Sequence, residues 1–348
     1  MKTRFSLFIL IFCVAQLSLA RTNPFTHPTQ TKTINKEFAA SATAVMQVKN
    51  TYGNVTVVLW DENKINYEVK ITVGAKKEKL TTELLDNITV NFTTKSNGVL
   101  AETVLPKSIA GNTEIEINYT IKIPRNAHAE IVQKYGNVAV PQLNGNLKLT
   151  CNYGSFILGQ LHSKENEFNM AYISNAKAEY INYATFNMRY STIAIDKINY
   201  LVSKGNYNTY KIKNAGTLNF ETNYSTIHAD KTQKVEISGN YLKLNFGEVL
   251  VSSILNSNYT TIKQNVNSQT EFIQYKGNYA NVTIGNLNTP NFNFNISGNY
   301  LNLKTNMELN FTTKNTNGST RQYIHVVEND KKLKVNVESN YGTVTLNK

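Results

Sequence analysis

An Asn-Tyr pair or its equivalent returns at Tyr135, Tyr153, Tyr172, Tyr190, Tyr207, Tyr224, Tyr241, Tyr259, Tyr279, Tyr300 and Tyr341. Successive spacings are 17 to 21 residues, and the last gap of 41 matches two periods. Self-similarity at this interval specifies the coil of a solenoid, because a propeller blade needs about 40 residues or more.

The columns around each Tyr predict the geometry. Four residues before it stand Ile131, Leu149, Phe168, Phe186, Phe220, Ile237, Leu255, Ile296 and Val337; six before it, Leu147, Leu201, Leu218, Val235, Ile273, Phe294 and Val335. Two before it the residue is small or polar, as at Cys151, Gly205, Thr222, Gly239, Ser257, Gly277, Gly298 and Ser339. This alternation marks a strand with one buried face. Tyr shares the parity of the apolar positions and is therefore expected to point inward. After Tyr the apolar residues fall at odd offsets, as at Val138 and Val140, Ile193 and Ile195, or Val344 and Leu346. A bend just after Tyr must reset the face. Each coil then reads as strand, corner, strand and short turn.

The residue before Tyr is Asn at 152, 206, 223, 240, 258, 278, 299 and 340. Asn tolerates left-handed backbone, which suits a corner, and stacked Asn side chains can form a ladder. The expectation is a corner ladder of Asn over a buried aromatic stack; the competing reading makes the Asn/Tyr row a ligand platform. Residues 129–348 are assigned to these repeats, a rod of roughly 55–60 Å at one strand spacing per coil. Val335 to Leu346 reads as one more coil. The coil near Leu309 and Phe311 is irregular, with Tyr323 to Val326 completing it after a loop.

Residues 36–128 differ. Val45 to Val57 carries the motif around Tyr52, followed by longer strands at Ile65–Val73, Ile88–Phe92, Val99–Val104 and Ile115–Ile123. Glu78 to Leu85 is spaced for one short amphipathic helix. This β-rich region is expected to cap the first coil, since an open solenoid end is an aggregation hazard. The fold class is thus all-β, a single-stranded parallel β-solenoid with an N-terminal cap containing one helix.

The first twenty residues read as a secretory signal: Lys2 and Arg4, an apolar run Phe5–Val14 too short to span a bilayer, and Ser18-Leu19-Ala20 before the cut. Residues 21–35, with Pro24 and Pro28, read as a flexible leader. Losing Lys2 and Arg4 lowers the formal charge from +12 to +10, and losing Cys13 leaves Cys151 as the one thiol. One Cys allows no internal disulfide. No later stretch is apolar enough to span a membrane as a helix.

The motif Asn50-Thr51-Tyr52-Gly53-Asn54-Val55-Thr56-Val57, followed by Trp60-Asp61, returns as Lys134-Tyr135-Gly136-Asn137-Val138-Ala139-Val140 after Ile121-Lys122-Ile123-Pro124. In this the chain resembles the adhesin-like β-strand repeat proteins of bacterial envelopes. The resemblance implies a right-handed β-solenoid-like fold, export across a Gram-negative inner membrane to the periplasm or outer surface, and an adhesin label resting on shape. It brings no catalytic residues with it.

Chemistry is sparse. No nucleophile elbow, zinc motif, phosphate loop or paired-Cys motif occurs, and His27, His128, His162, His228 and His325 lie far apart. No catalytic, cofactor or metal site is assigned, and no cofactor is expected. The one carboxylate pair with enzymatic spacing is Asp196 and Asp230, two coils apart at equivalent turns and about 10 Å from each other in a regular stack, near the range of an inverting glycosidase. The scattered lysines disfavour nucleic acid; anionic glycan, lipopolysaccharide or an envelope protein fits the charge better. The first reading is a non-enzymatic envelope scaffold, with a polysaccharide lyase or hydrolase and a periplasmic envelope-stress component as alternatives.

Overall fold

The computed structural model describes residues 25–109, 111–287, 292–327 and 333–348, so the expected signal segment lies outside the described residues. Among them are twenty-five strands, joined in one sheet, and a single helix, Glu78–Asn87. The fold is an all-β solenoid. Its central rungs are the strands Thr192–Asn206, Thr209–Asn223, Thr226–Asn240 and Lys243–Asn258, each parallel to the one before. Register keeps like above like: Ile193 pairs with Tyr210 and Leu201 with Leu218, then Tyr210 with Ile227 and Leu218 with Val235.

In these central rungs the short turn expected halfway round each coil is absent, although such a turn does separate Asn137–Leu143 from Leu147–Leu161 and Thr261–Val266 from Phe272–Asn278. In Thr192–Asn206 the buried residues are Ile193, Ile195, Ile198, Leu201 and Ser203. Steps of two belong to a flat strand; the two steps of three swing the chain through a bend while its hydrogen bonds to neighbouring rungs continue.

The tyrosine corner also differs from expectation. All twelve motif tyrosines, Tyr52 included, adopt left-handed backbone with φ between 49° and 64°. The parity switch therefore sits at Tyr itself, and the Asn before it stays extended within its strand. Left-handed φ turns the Tyr side chain outward and the next residue inward, as with buried Ser191, Asn208, Ser225 and Thr260. The position two before Tyr does point inward: Cys151, Thr222, Ser257 and Ser339 are buried.

At both ends the stack departs from chain order. Val45–Thr51 lies between Gly98–Val104 and His128–Lys134, parallel to each. At the other end Leu333–Asn340 lies between Phe272–Asn278 and Phe292–Asn299, and Gly342–Leu346 between Asn281–Gly285 and Leu301–Thr305. The last segment in sequence is thus the last rung but one in space. Beyond it Thr320–His325 runs antiparallel to Phe292–Asn299. It forms a closing hairpin with Thr313–Asn315 and is not the completion of an irregular coil. At the opposite end Thr29–Ala39 runs antiparallel to Lys64–Ala75, which is antiparallel to Thr113–Pro124. The flexible leader expected over 21–35 is therefore strand from Thr29 onward. Thr alternates there at 29, 31 and 33, a strand pattern that begins directly after Pro28.

The core contains several phenols and the lone thiol. Burial pushes Tyr119, Tyr210 and Tyr275 each up to about 12, against hydrogen bonds to Thr103, Ser203 and Ser257 that pull the other way. Burial alone pushes the Cys151 thiol up to about 12. Below the unfolded-state values near 10 for Tyr and 9 for Cys, these groups bind equal numbers of protons folded and unfolded. Above those values the unfolded chain releases protons that the folded chain retains, so stability falls as pH rises toward 12, by about 2 kcal/mol per Tyr and about 4 kcal/mol for Cys151 at that pH. Denaturant midpoints are expected to hold up to about pH 9 and to drop steeply between pH 10 and 12. A flat stability profile across pH 10–12 would contradict the buried positions of these groups.

Candidate functional site

The most unusual surface is built by the corners. Eight of the twelve Tyr N–H groups donate to the carbonyl of the Asn one rung on, as with Tyr207 to Asn223 at 3.1 Å, Tyr224 to Asn240 at 3.0 Å and Tyr241 to Asn258 at 2.9 Å; Tyr52 and Tyr300 donate instead to the carbonyls of Lys134 and Ser319. The Asn side chains add the expected ladder. Asn206 Oδ1 accepts from both the backbone and side-chain N–H of Asn223 at 2.9 and 3.0 Å, and Asn223 does the same for Asn240. The ladder continues through Asn258, Asn278, Asn340 and Asn299, following spatial and not chain order. From Tyr207 to Tyr279, and at Tyr341, backbone and side-chain bonds together pin the corner, and the tyrosine ring projects from a fixed base.

The rings stack in the same order, Tyr52 to Tyr279 in sequence and then Tyr341 and Tyr300. Eleven consecutive contacts have centroids 4.7–5.5 Å apart and planes within 21° of parallel. At one strand spacing per rung this is a row about 55 Å long. It is not the buried stack the alternation predicts: every ring from Tyr135 onward is at least 42% exposed, and Tyr300 reaches 61%. Because neighbours cover the ring faces, the exposed parts are the ring edges and hydroxyl ends.

Magnitudes show why this row requires explanation. Left-handed backbone costs a residue with a Cβ roughly 1–2 kcal/mol, which Gly avoids and Asn meets cheaply. A ring pair returns about 0.5–1.5 kcal/mol. Twelve costs against eleven contacts roughly cancel, so a Gly or Asn corner would turn the chain as well. Strained residues held in register on a surface point to function.

Beside the row, the glycines at 239 and 277 leave a groove of about 470 Å³, lined also by Asn240, Ser257, Asn258 and Asn340, with the Lys276–Glu338 pair at 3.1 Å on its wall. Amides, the Ser257 hydroxyl and one ion pair supply its polar groups. A second, shorter stack joins Tyr183 and Tyr200 at 5.2 Å.

Asp196 and Asp230 do lie two rungs apart, but Lys213 stands between them. Its Nζ is 2.7 Å from Asp196. Hydrogen bonding to Asp196, its charge, and the charge of Asp230 together raise the Lys213 ammonium above the usual lysine range. Asp230 in turn sits 2.7 Å from His228 Nε2. The lysine fills the gap a glycosidic oxygen would need, so the pair is part of a surface charge ladder. The other histidines stay apart: His27 lies beside Glu114, the ring nitrogen of His128 accepts from the Asn146 N–H, His162 packs on Tyr180, and His325 is buried beside the Asn310 carbonyl. Among the described residues no group of three or more His, Cys, Asp or Glu is placed to hold a metal ion, and no helix is long and apolar enough to cross a membrane.

No protein-family model matches the chain, and no curated protein matches its sequence. Among solved structures it is similar to a candidate adhesin from Parabacteroides merdae, at 8% identity over 90% of this chain and 96% of that one, with a TM-score of 0.31. A candidate adhesin from Bacteroides fragilis gives 11% identity, 90% and 97% coverage and a TM-score of 0.29. A candidate lipid-binding protein from Parabacteroides distasonis gives 8%, 90% and 96%, and 0.25. Likeness at this level fixes neither ligand nor activity.

Proposed function

We propose that this chain is an exported, adhesin-like envelope protein without catalytic activity, a rigid solenoid that binds an extended glycan or lipopolysaccharide chain along the tyrosine row. Residues 129–348 form the repeat body in this reading, and residues 36–128 its cap. The exposed ladder carries the proposal: eleven exposed tyrosines on strained corners offer donor hydroxyls at a near-constant spacing, which suits a polymer with its own short repeat. Ring edges are the electropositive part of an aromatic and prefer oxygen-rich, acceptor-bearing partners. The adjoining polar groove can hold substituents of such a chain.

The test compares the protein lacking residues 1–20 with a Tyr207→Asn, Tyr224→Asn, Tyr241→Asn variant on glycan and lipopolysaccharide arrays. Asn accepts the left-handed corner, so circular dichroism should be unchanged while affinity falls roughly ten-fold or more, about 1.4 kcal/mol. Equal binding by both proteins, or binding by neither, would overturn the proposal.

A further inference from the structure

We propose that the ladder is a site of oxidative cross-linking, at which hydrogen peroxide and a one-electron oxidation catalyst join tyrosines of neighbouring rungs into dityrosine. Three observations carry this. Adjacent rings are already in contact, 4.7 Å between Tyr224 and Tyr241 and 5.1 Å between Tyr279 and Tyr341. Each is exposed to a small oxidant. Each is also held from below by a pinned corner, so two oxidised neighbours cannot diffuse apart, and encounter becomes intramolecular.

Cysteine chemistry cannot take this role. Cys151 is the one Cys of the described chain, is buried, and burial raises its thiol to about 12, which disfavours the reactive thiolate.

The chemistry balances as follows. Each of two adjacent phenols gives up one electron and its hydroxyl proton. The unpaired electron of each spreads to the ring carbon beside the oxygen-bearing one. Those two carbons form the new carbon–carbon bond, and the hydrogen each carried moves to its own oxygen, restoring two phenols. Hydrogen peroxide takes up the two electrons and two protons and becomes two waters. Because every interior ring touches two others, electron exchange along the stack can bring two radicals together. The product is a covalent staple between rungs.

The stack order supplies a diagnostic. Tyr341 lies between Tyr279 and Tyr300, so coupling should link Tyr279 to Tyr341 and Tyr341 to Tyr300, but never Tyr279 to Tyr300. The experiment treats the protein with hydrogen peroxide and a haem peroxidase over a series of dilutions, follows dityrosine fluorescence and maps linked peptides by mass spectrometry. Expected are links between stack neighbours, Tyr207–Tyr224 among them, with a yield per molecule independent of dilution. Tyr341→Phe, which keeps the ring, should abolish both Tyr341 links and spare Tyr207–Tyr224. Should that variant misfold, Tyr224→Phe in the middle of the stack should remove the Tyr207 and Tyr241 links to it in the same way. Yield that falls with dilution, links without preference for stack neighbours, or oxidised tyrosines with no links would each overturn the proposal.

Discussion

A chain ending at residue 332 is expected to lose the ordered structure of residues 292–327, although none of them is deleted. Leu333–Asn340 and Gly342–Leu346 supply the parallel partners of Phe292–Asn299 and Leu301–Thr305. Without them Phe292–Asn299 keeps only the antiparallel Thr320–His325, and the Tyr300 ring loses its stacking partner. Val335, Val337, Val344 and Leu346 are all buried; at about 1.5–3 kcal/mol each, their removal forfeits on the order of 6–12 kcal/mol of burial. Limited proteolysis should cut the truncated protein within 292–325, while Thr192–Asn258 stays protected. Protection of 292–325 equal to that in the full chain would refute the inserted rung. The newly bared edge of Phe272–Asn278 should also promote association at high concentration.

Gly239→Val is expected to destabilise by more than about 4 kcal/mol, the range reached only by severe core lesions. Gly239 has φ +148°, and a Cβ there would stand 1.6 Å from the Thr222 carbonyl oxygen of the adjoining rung. That oxygen belongs to backbone fixed by neighbours on both sides, so it cannot yield as a side-chain tip would. Gly318 provides the control. Its φ of +53° is also left-handed, but a Cβ there meets nothing within 4 Å. Gly318→Ala should therefore cost only the backbone strain, about 1–2 kcal/mol. Chemical denaturation of the two variants would separate them; equal losses would mean that rung contact is not what excludes a side chain at 239.

The repeat made much of this architecture legible. Apolar columns such as Leu201, Leu218 and Val235 announce stacked strands because burial repeats with the coil. Glu78–Leu85 stood out as the one segment with helical spacing, and the long strands near it were visible from their alternation. Three things were hidden. Tyr was read as buried because parity extrapolates through extended backbone, and a single left-handed residue inverts it. Gly239 looked like one more small residue beside Thr222 and Ser257, but its φ is one that only glycine adopts readily, a property no column of residue sizes displays. The position of Leu333–Leu346 inside the stack could not be read at all, because every rung carries the same motif and strand pairing is indifferent to chain order. For the ladder, the residues were all in view and the direction they face was not. The Asp196–Asp230 spacing was right in rungs, yet it omitted Lys213, the residue that the same period places between them.

The two ends of the chain are not mechanically equivalent. The final strand, Gly342–Leu346, is hydrogen-bonded along both edges, whereas among the described residues Thr29–Ala39 pairs along one edge only. A pull applied at the C-terminus must break two ladders of backbone bonds before any length is released. The same pull at the N-terminus opens one ladder residue by residue, like a zip. A molecule of this build tethered by its C-terminal end would hold its stack under tension, and unravelling would begin at the opposite end, at Thr29.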